Sequence, residues 1–392
     1  MSASLNYRYT PAWRSFTRTF LAAMLVLFFA SCTDQSVDPA EELIQQLLFL
    51  STRDGATDDL GRPMKEIYRM NEHGAAVENL THHPAWLYGH LSLSPDGNRI
   101  VFSSSRTGSD IWMMNTDGSN LTRLTNRNID TDDWSNAWPR WSPDGNRIAF
   151  ATNRENRSKG IYSGLYDVYV MNADGSDPQN VSHTLLGDNL LDNVRVIGWS
   201  PDGRVVFETA DFVDGEWEIH VYIVNADGSG AGPLFDTPGN HSPAWSPDGT
   251  KVAFINEQDG RRQLYIMYAD GSGVQPLTDH SGNDWLPGLR GGTSTQFEYN
   301  PWSPDGTLIA FDRDGVADEW GTYIITADGS ELKRLTDHPT IFNGWSPDGK
   351  KIAYTSRRLP LDVYVVNVDG SGNKNLTDSP FDDSDAVWLF PR

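Results

Sequence analysis

Six of the nine histidines, His82, His83, His183, His241, His280 and His338, fall in polar stretches crowded with carboxylates. Those carboxylates include Asp130, Asp132, Asp133, Asp188, Asp192, Asp284, Asp337, Asp382 and Asp383. An imidazole beside a carboxylate is suited to moving a proton or holding a divalent metal. The same stretches carry Trp86, Trp134 and Trp285, whose broad, rigid faces suit the anchoring of a ligand or partner. The histidines are far apart in sequence, and no compact ligand motif such as His-x-x-x-His occurs. The expectation is a binding face built from Trp134, Trp285, Asp284, Trp86, His280, His338 and His183, with no catalytic residue and no cofactor. A divalent metal held by the same histidines is the alternative, and so is a set of connections that are merely polar.

What positions these stretches is a repeat. Ser-Pro-Asp-Gly recurs with its proline at Pro95, Pro143, Pro201, Pro247, Pro304 and Pro347, at spacings of 48, 58, 46, 57 and 43 residues. A second turn follows each one, at Asp117-Gly118, Asp174-Gly175, Asp227-Gly228, Asp270-Gly271, Asp328-Gly329 and Asp369-Gly370. Asp-Gly supplies the positive φ angles of tight hairpins, and the preceding proline sets the turn. Each unit then reads as four short strands. The innermost carries Trp141, Trp199, Trp245, Trp302 or Trp345, with Leu93 in the first unit. A second apolar strand such as Ile148-Ala149-Phe150 follows, then a third bearing Trp112, Tyr169, Tyr222, Tyr265, Tyr323 or Tyr364, and an outer strand ending in Leu-Thr. Four strands in roughly 40–50 residues is the signature of a propeller blade. The polar stretches connect each outer strand to the next inner one, so they emerge on one face. Asp312-Arg313-Asp314-Gly315 starts like a calcium loop, but the full ligand spacing is missing and a hairpin turn is expected.

The two ends complete the count. Leu47–Leu50, Glu66–Met70 and Asn79–Thr81 match the second, third and fourth strands, and Asp385–Phe390, with Trp388 in the repeat's Trp position, supplies the missing inner strand. One C-terminal strand joined to three N-terminal ones makes a seventh blade and leaves no open sheet edge. The fold expected is therefore all-β: a seven-bladed β-propeller of four-stranded antiparallel blades over residues 45–392.

Composition agrees. The 35 glycines and 22 prolines serve many turns, and 14 Trp, 14 Tyr and 16 Phe supply core. With 53 acidic against 31 basic residues the net charge is −22, which argues against nucleic acid and against electrostatic docking on anionic lipid. Residues 1–32 combine Arg8, Arg14 and Arg18 with the apolar run Phe20–Ala30, then Ser31 and Cys32, the only cysteine. About eleven apolar residues suit a signal peptide better than a membrane span. Ala30-Ser31-Cys32 resembles the cleavage site of a bacterial lipoprotein, which implies export, lipidation of Cys32, a tether over 33–44 and contact with the membrane through the lipid alone.

Trp-Ser-Pro-Asp-Gly, Ile-Ala-Phe, Tyr-x-Met-Asn-x-Asp-Gly and Leu-Thr together resemble the WD40-like repeat of TolB-type propellers, over roughly residues 45–390. Related repeats occur in prolyl-oligopeptidase-type peptidases and oligogalacturonate lyases. The chain has no Gly-x-Ser-x-Gly elbow, so peptidase activity is not expected. TolB places an α/β domain before six blades, and a Tol–Pal role is not expected either. The resemblance implies an envelope scaffold that binds a protein, peptide or cell-wall component. Its alternative is an oligogalacturonate-lyase-like enzyme using loop histidines and a divalent metal.

Overall fold

The computed structural model describes residues 44–57, 61, 63–82, 90–104, 109–126, 134–155, 166–186, 194–213, 216–237, 239–287, 299–315 and 319–390. Gln45 onward forms one compact unit. Seven four-stranded antiparallel sheets make it up, so the seven-bladed β-propeller expected from the repeat is the fold observed. Blade 1 joins the C-terminal Asp383–Leu389 to Gln46–Ser51, Glu66–Asn71 and Glu78–Asn79. Blades 2 to 5 begin with the inner strands Ser92–Leu93, Asn136–Trp141, Arg195–Trp199 and Asn240–Trp245. Blade 6 begins with Asn283–Trp285 and blade 7 with Thr340–Trp345. His183–Leu186 is a single helical turn, and no helix among the described residues is long and apolar enough to cross a membrane.

The core is divided among the interfaces between blades, which explains the Ile-Ala-Phe pattern. A strand with both faces buried cannot alternate apolar with polar residues, so it alternates large with small. Ile148 and Phe150 pack with Val101, Ile111 and Leu124 of blade 2. Ala149 and Ala151, on the opposite face, pack with Val205 and Phe207 of blade 4. All four are fully buried. The aromatic of the third strand stands directly opposite the aromatic of the second in every blade: Phe49–Tyr68, Phe102–Trp112, Phe150–Tyr169, Phe207–Tyr222, Phe254–Tyr265, Phe311–Tyr323 and Tyr354–Tyr364. Such cross-strand pairs contribute about 0.5–1.5 kcal/mol each beyond the area they bury.

The tryptophan before Ser-Pro-Asp-Gly ties neighbouring blades together. Trp199 Nε1 donates to Arg140 O (3.1 Å), Trp302 Nε1 to Ala244 O (2.9 Å) and Trp345 Nε1 to Pro301 O (2.8 Å), each acceptor lying in or beside the preceding inner strand. Ring closure uses another repeated contact. Gly175 of blade 3 fits against Leu124 O of blade 2, where an added Cβ would come within 2.7 Å, and Gly74 of blade 1 meets Leu376 O of blade 7 in the same way, at 2.3 Å. At φ +87° and +76° these positions also suit glycine on backbone grounds.

The turns hold ionised aspartates. In Ser-Pro-Asp-Gly the serine hydroxyl donates to the aspartate, as Ser142 does to Asp144 and Ser246 to Asp248, both at 2.6 Å. In Asn-x-Asp-Gly-Ser the aspartate accepts from the serine hydroxyl and amide, as Asp174 does from Ser176. These bonds hold Asp144, Asp174, Asp227, Asp248 and Asp270 below the ordinary carboxylate range. A carboxylate whose folded pKa is depressed stabilises the fold above its unfolded value, about 3.9, and loses that contribution as pH falls through it. Thermal melts should therefore show no loss from these groups between pH 7 and pH 5, and a steep fall below about pH 4. A melting temperature unchanged at pH 3 would rule out the turn carboxylates as a source of stability.

Candidate functional site

The inner strands, which surround the axis, are the irregular ones. Register breaks at Ala137/Arg140 in blade 3, Val196/Gly198 in blade 4, His241/Ala244 in blade 5 and Phe342/Gly344 in blade 7. Trp138, Ser242 and Asp385 sit in such breaks with φ of 52°, 54° and 55°. Bulges re-aim side chains and are enriched beside binding sites. A tryptophan at positive φ is uncommon and carries strain, on the order of 1–3 kcal/mol.

Beside these bulges, the inner strands of blades 3 to 6 enclose a cavity of about 320 Å³. Its walls are the rings of Trp138, Trp199, Trp245 and Tyr299, a series of prolines and a few aliphatic side chains. Pro143, Pro201 and Pro247, from the Ser-Pro-Asp-Gly turns, belong to it, so it reaches towards the turn side of the ring, opposite the connections between blades. Trp138 packs against His90 (5.1 Å between ring centres) and edge-on to Tyr166 (5.5 Å). Its Nε1–H is buried with no hydrogen-bond partner among the described residues. Arg140 donates from Nε to Ile197 O (3.1 Å) and from Nη1 to Pro139 O (3.2 Å), and Arg195 pairs with the buried Glu208. Burial first, and then the charge of Asp385, pushes the Tyr299 hydroxyl well above its usual pKa, so it stays a neutral phenol. Among the described residues that line it there is no carboxylate. Beside the cavity, His241 holds Glu257 below the ordinary carboxylate range.

The residues expected to bind from sequence are distributed around the blades. Asp284 and Trp285 lie in the inner strand of blade 6, paired with Arg313 and Asp312, and not in a connection. The repeat's own Trp302 makes only a bridge to Ile309. Asp284 is fully buried and is held by Thr278 Oγ1 (2.5 Å), Arg313 Nε (2.8 Å) and His280 Nε2 (2.9 Å). Three polar partners explain why this carboxylate is drawn inside. Trp285 is half-buried under the Arg262 guanidinium at 4.2 Å, and Trp134 is half-buried under Arg154 at 4.9 Å. These two tryptophans are partly covered, whereas a loop reading has them exposed. His338 is buried beside Tyr354 and Tyr364, and His183 is exposed at the start of the helical turn. Trp86, His83, Cys32, Asp130, Asp132, Asp133, Asp188 and Asp192 lie outside the described residues. Of the candidates, His280 and Asp284 are brought together; Trp134, His183 and His338 belong to other blades. Among the described residues no three His, Cys, Asp or Glu side chains gather as a metal ligand set.

The cavity itself was missed from sequence, although a signal was present. Pro139 and Pro243 each stand two residues before a repeat tryptophan, and proline inside a sheet belongs on an edge strand with its nitrogen turned from the ladder. Here that edge faces the axis.

No family model matches the chain. The matched stretches span 11% to 61% of the lengths of its curated relatives. Among solved structures, an oligogalacturonate lyase from Vibrio parahaemolyticus aligns at 13% identity over 82% of this chain and 86% of its own, with a TM-score of 0.59. The propeller domain of the Trilobed protease from Pyrococcus furiosus aligns at 14% identity over 85% and 92%, with a TM-score of 0.56. TolB from Acinetobacter baumannii aligns at 14% identity over 97% and 74%, with a TM-score of 0.49. The two with a TM-score above 0.5 are both propellers or contain one, in keeping with the seven blades seen here. At these identities the likeness speaks of fold alone.

Proposed function

We propose that this chain is an exported propeller scaffold that binds a protein, peptide or other cell-envelope ligand without transforming it, and that Cys32 ties it to the membrane by lipid. The observation that carries the binding reading is the axial cavity. Acid–base chemistry and metal retention both call for carboxylates or histidines gathered at one point. Among the described residues the cavity lining instead gathers tryptophan, proline and arginine, with one imidazole, that of His90, which are the materials of a recognition pocket. A ring stabilised through seven interlocked blades can hold such a pocket rigid.

Crosslinked capture from native envelopes tests this. The mature protein should retain a ligand that the Trp138→Ala variant, assayed well below its own lowered melting temperature, loses. Equal capture by both would remove the cavity from the reading, and turnover of the captured molecule would make the protein an enzyme. A Cys32→Ser variant should fail to incorporate labelled fatty acid and should leave the membrane fraction. Its retention there would refute the lipid anchor.

A further inference from the structure

In every blade the second and third strands meet in a hairpin on the face that carries the connections between blades. In blades 1, 2, 3, 6 and 7 their pairing ends two residues past the second-strand aromatic, as at Thr152 after Phe150 and Ser356 after Tyr354. In blade 4 it continues through Ala210↔Ile219, Asp211↔Glu218 and Phe212↔Trp217 to Val213↔Glu216. At about 3.4 Å per residue, these four further pairs form an arm that reaches about 13 Å past the hairpins of those five blades. Its sequence, Asp211-Phe-Val-Asp-Gly-Glu-Trp-Glu218, combines four carboxylates with two aromatic residues, and no Lys or Arg occurs from Val205 to Thr250. A two-stranded ribbon is marginally stable alone in water and gains from a surface that covers it.

The same face offers a complement at blade 7. Arg357, Arg358, Leu359 and Pro360, at the tip of its hairpin, are all exposed. Leu359, at 82%, is the most exposed large apolar side chain among the described residues. The connection to blade 1 runs alongside: the Leu361 amide donates to Asp382 Oδ1 (3.0 Å), and the Asp383 amide to Leu361 O (2.8 Å). That connection carries Phe381, also exposed. No carboxylate occurs from Gly349 to Leu361, and Arg358 forms no ion pair with a described residue. Apolar side chains beside free cations, in a chain of net charge −22, make a surface of the kind that marks a protein contact.

We infer that two copies of this chain associate face to face, the acidic arm of blade 4 in each lying on the Arg358–Leu359–Phe381 surface of blade 7 in the other. A two-fold axis that bisects blades 4 and 7 carries each arm onto the other copy's blade 7, so one operation makes both contacts and closes the assembly at two. Opposite charges steer the encounter and like charges bar an arm-to-arm register, while the apolar residues of both elements supply the buried area. The contact goes beyond the binding reading above and leaves it intact, because the cavity reaches towards the opposite, turn-bearing side.

Sedimentation velocity of the mature protein in density-matched detergent tests this. Dimers should form at about 100 μM and dissociate on dilution below about 1 μM, and raising the salt from 50 to 500 mM should weaken them about tenfold. Leu359→Ser should sediment as a monomer at every concentration, with its melting temperature unaltered. Two charge-swapped proteins decide the pairing. One carries Arg357→Glu and Arg358→Glu, the other Asp211→Lys, Glu216→Lys and Glu218→Lys. Each alone should be monomeric, and a mixture of the two should restore the dimer, because each arm then meets a patch of opposite sign. A monomeric wild-type protein at about 100 μM, or a Leu359→Ser protein that still dimerises, overturns the inference. Separate swaps that stay monomeric when mixed show that the arm is not the partner of the patch, and growth past two copies rules out the two-fold arrangement.

Discussion

A chain ended at Asp382 is expected to lose cooperative folding, because blade 1 then has no inner strand. Asp383–Leu389 pairs along Gln46–Ser51 from Gln46↔Leu389 to Ser51↔Asp383. It carries Trp388 and Ala386 into the interface with Leu47, Phe49, Val365 and Leu376. Removing the Trp388 side chain alone should cost about 3–5 kcal/mol, a large part of a net stability of about 5–15 kcal/mol. Truncation removes more. Arg53, which holds both oxygens of Asp383 at 3.1 Å and lies 5.0 Å from the rings of Phe49 and Tyr68, loses its ion partner. Gln46-Leu-Leu-Phe-Leu-Ser51 becomes an apolar sheet edge, which invites intermolecular pairing. The truncated chain should therefore aggregate on expression, and a co-expressed segment covering residues 383–392 should restore soluble protein. A truncated chain that melts cooperatively within a few degrees of the full one would show that closure by the C-terminal strand is dispensable.

Asp284→Ala should be the most damaging single exchange among the residues that sequence marks for binding. The side chain is fully buried and neutralises Arg313, itself 6% exposed and set 4.7 Å from the Tyr323 ring and 5.4 Å from that of Phe311. Deleting one partner of a buried pair strands the other charge, at a cost of about 3–5 kcal/mol. His280 and Thr278 lose their bonds as well. Asp284→Asn keeps the shape and should cost less. Asp337→Ala, at an exposed carboxylate, should stay within about 0.5 kcal/mol. Urea unfolding measures all three. A cost below about 1 kcal/mol for Asp284→Ala would mean that Arg313 finds another partner, and the structural role assigned to this cluster would fall.

These effects bear on how far the repeat could be read. The Leu-Thr threonines, and the aspartates they meet, are latches in the fold. Thr125 accepts from the Ile111 amide and donates to Asp110, and Thr377 does the same for Val363 and Asp362. Asp312, which starts the calcium-like stretch, accepts from Thr322 Oγ1 and the Phe342 amide. A polar residue that repeats with the period of the blade serves the blade. Those that depart from the period, such as Trp138 and Ser242, are the ones at the cavity.

Local pattern by itself determined the number of blades, the strand order within each, the aromatic pairs and the exchange of strands at closure. Each of these depends on turn chemistry and on alternation within a few residues, which the chain displays directly. Only the tertiary structure decided that Asp284 and Trp285 enter a strand, that Trp134 and Trp285 are capped by arginines, and that a cavity lies between the inner strands of blades 3 to 6. Those facts arise where side chains from different blades, separated by 50 residues or more of sequence as Arg140 is from Ile197, meet around one axis. A bulge that turns a side chain through a single residue leaves almost no trace in the periodicity from which strands are read.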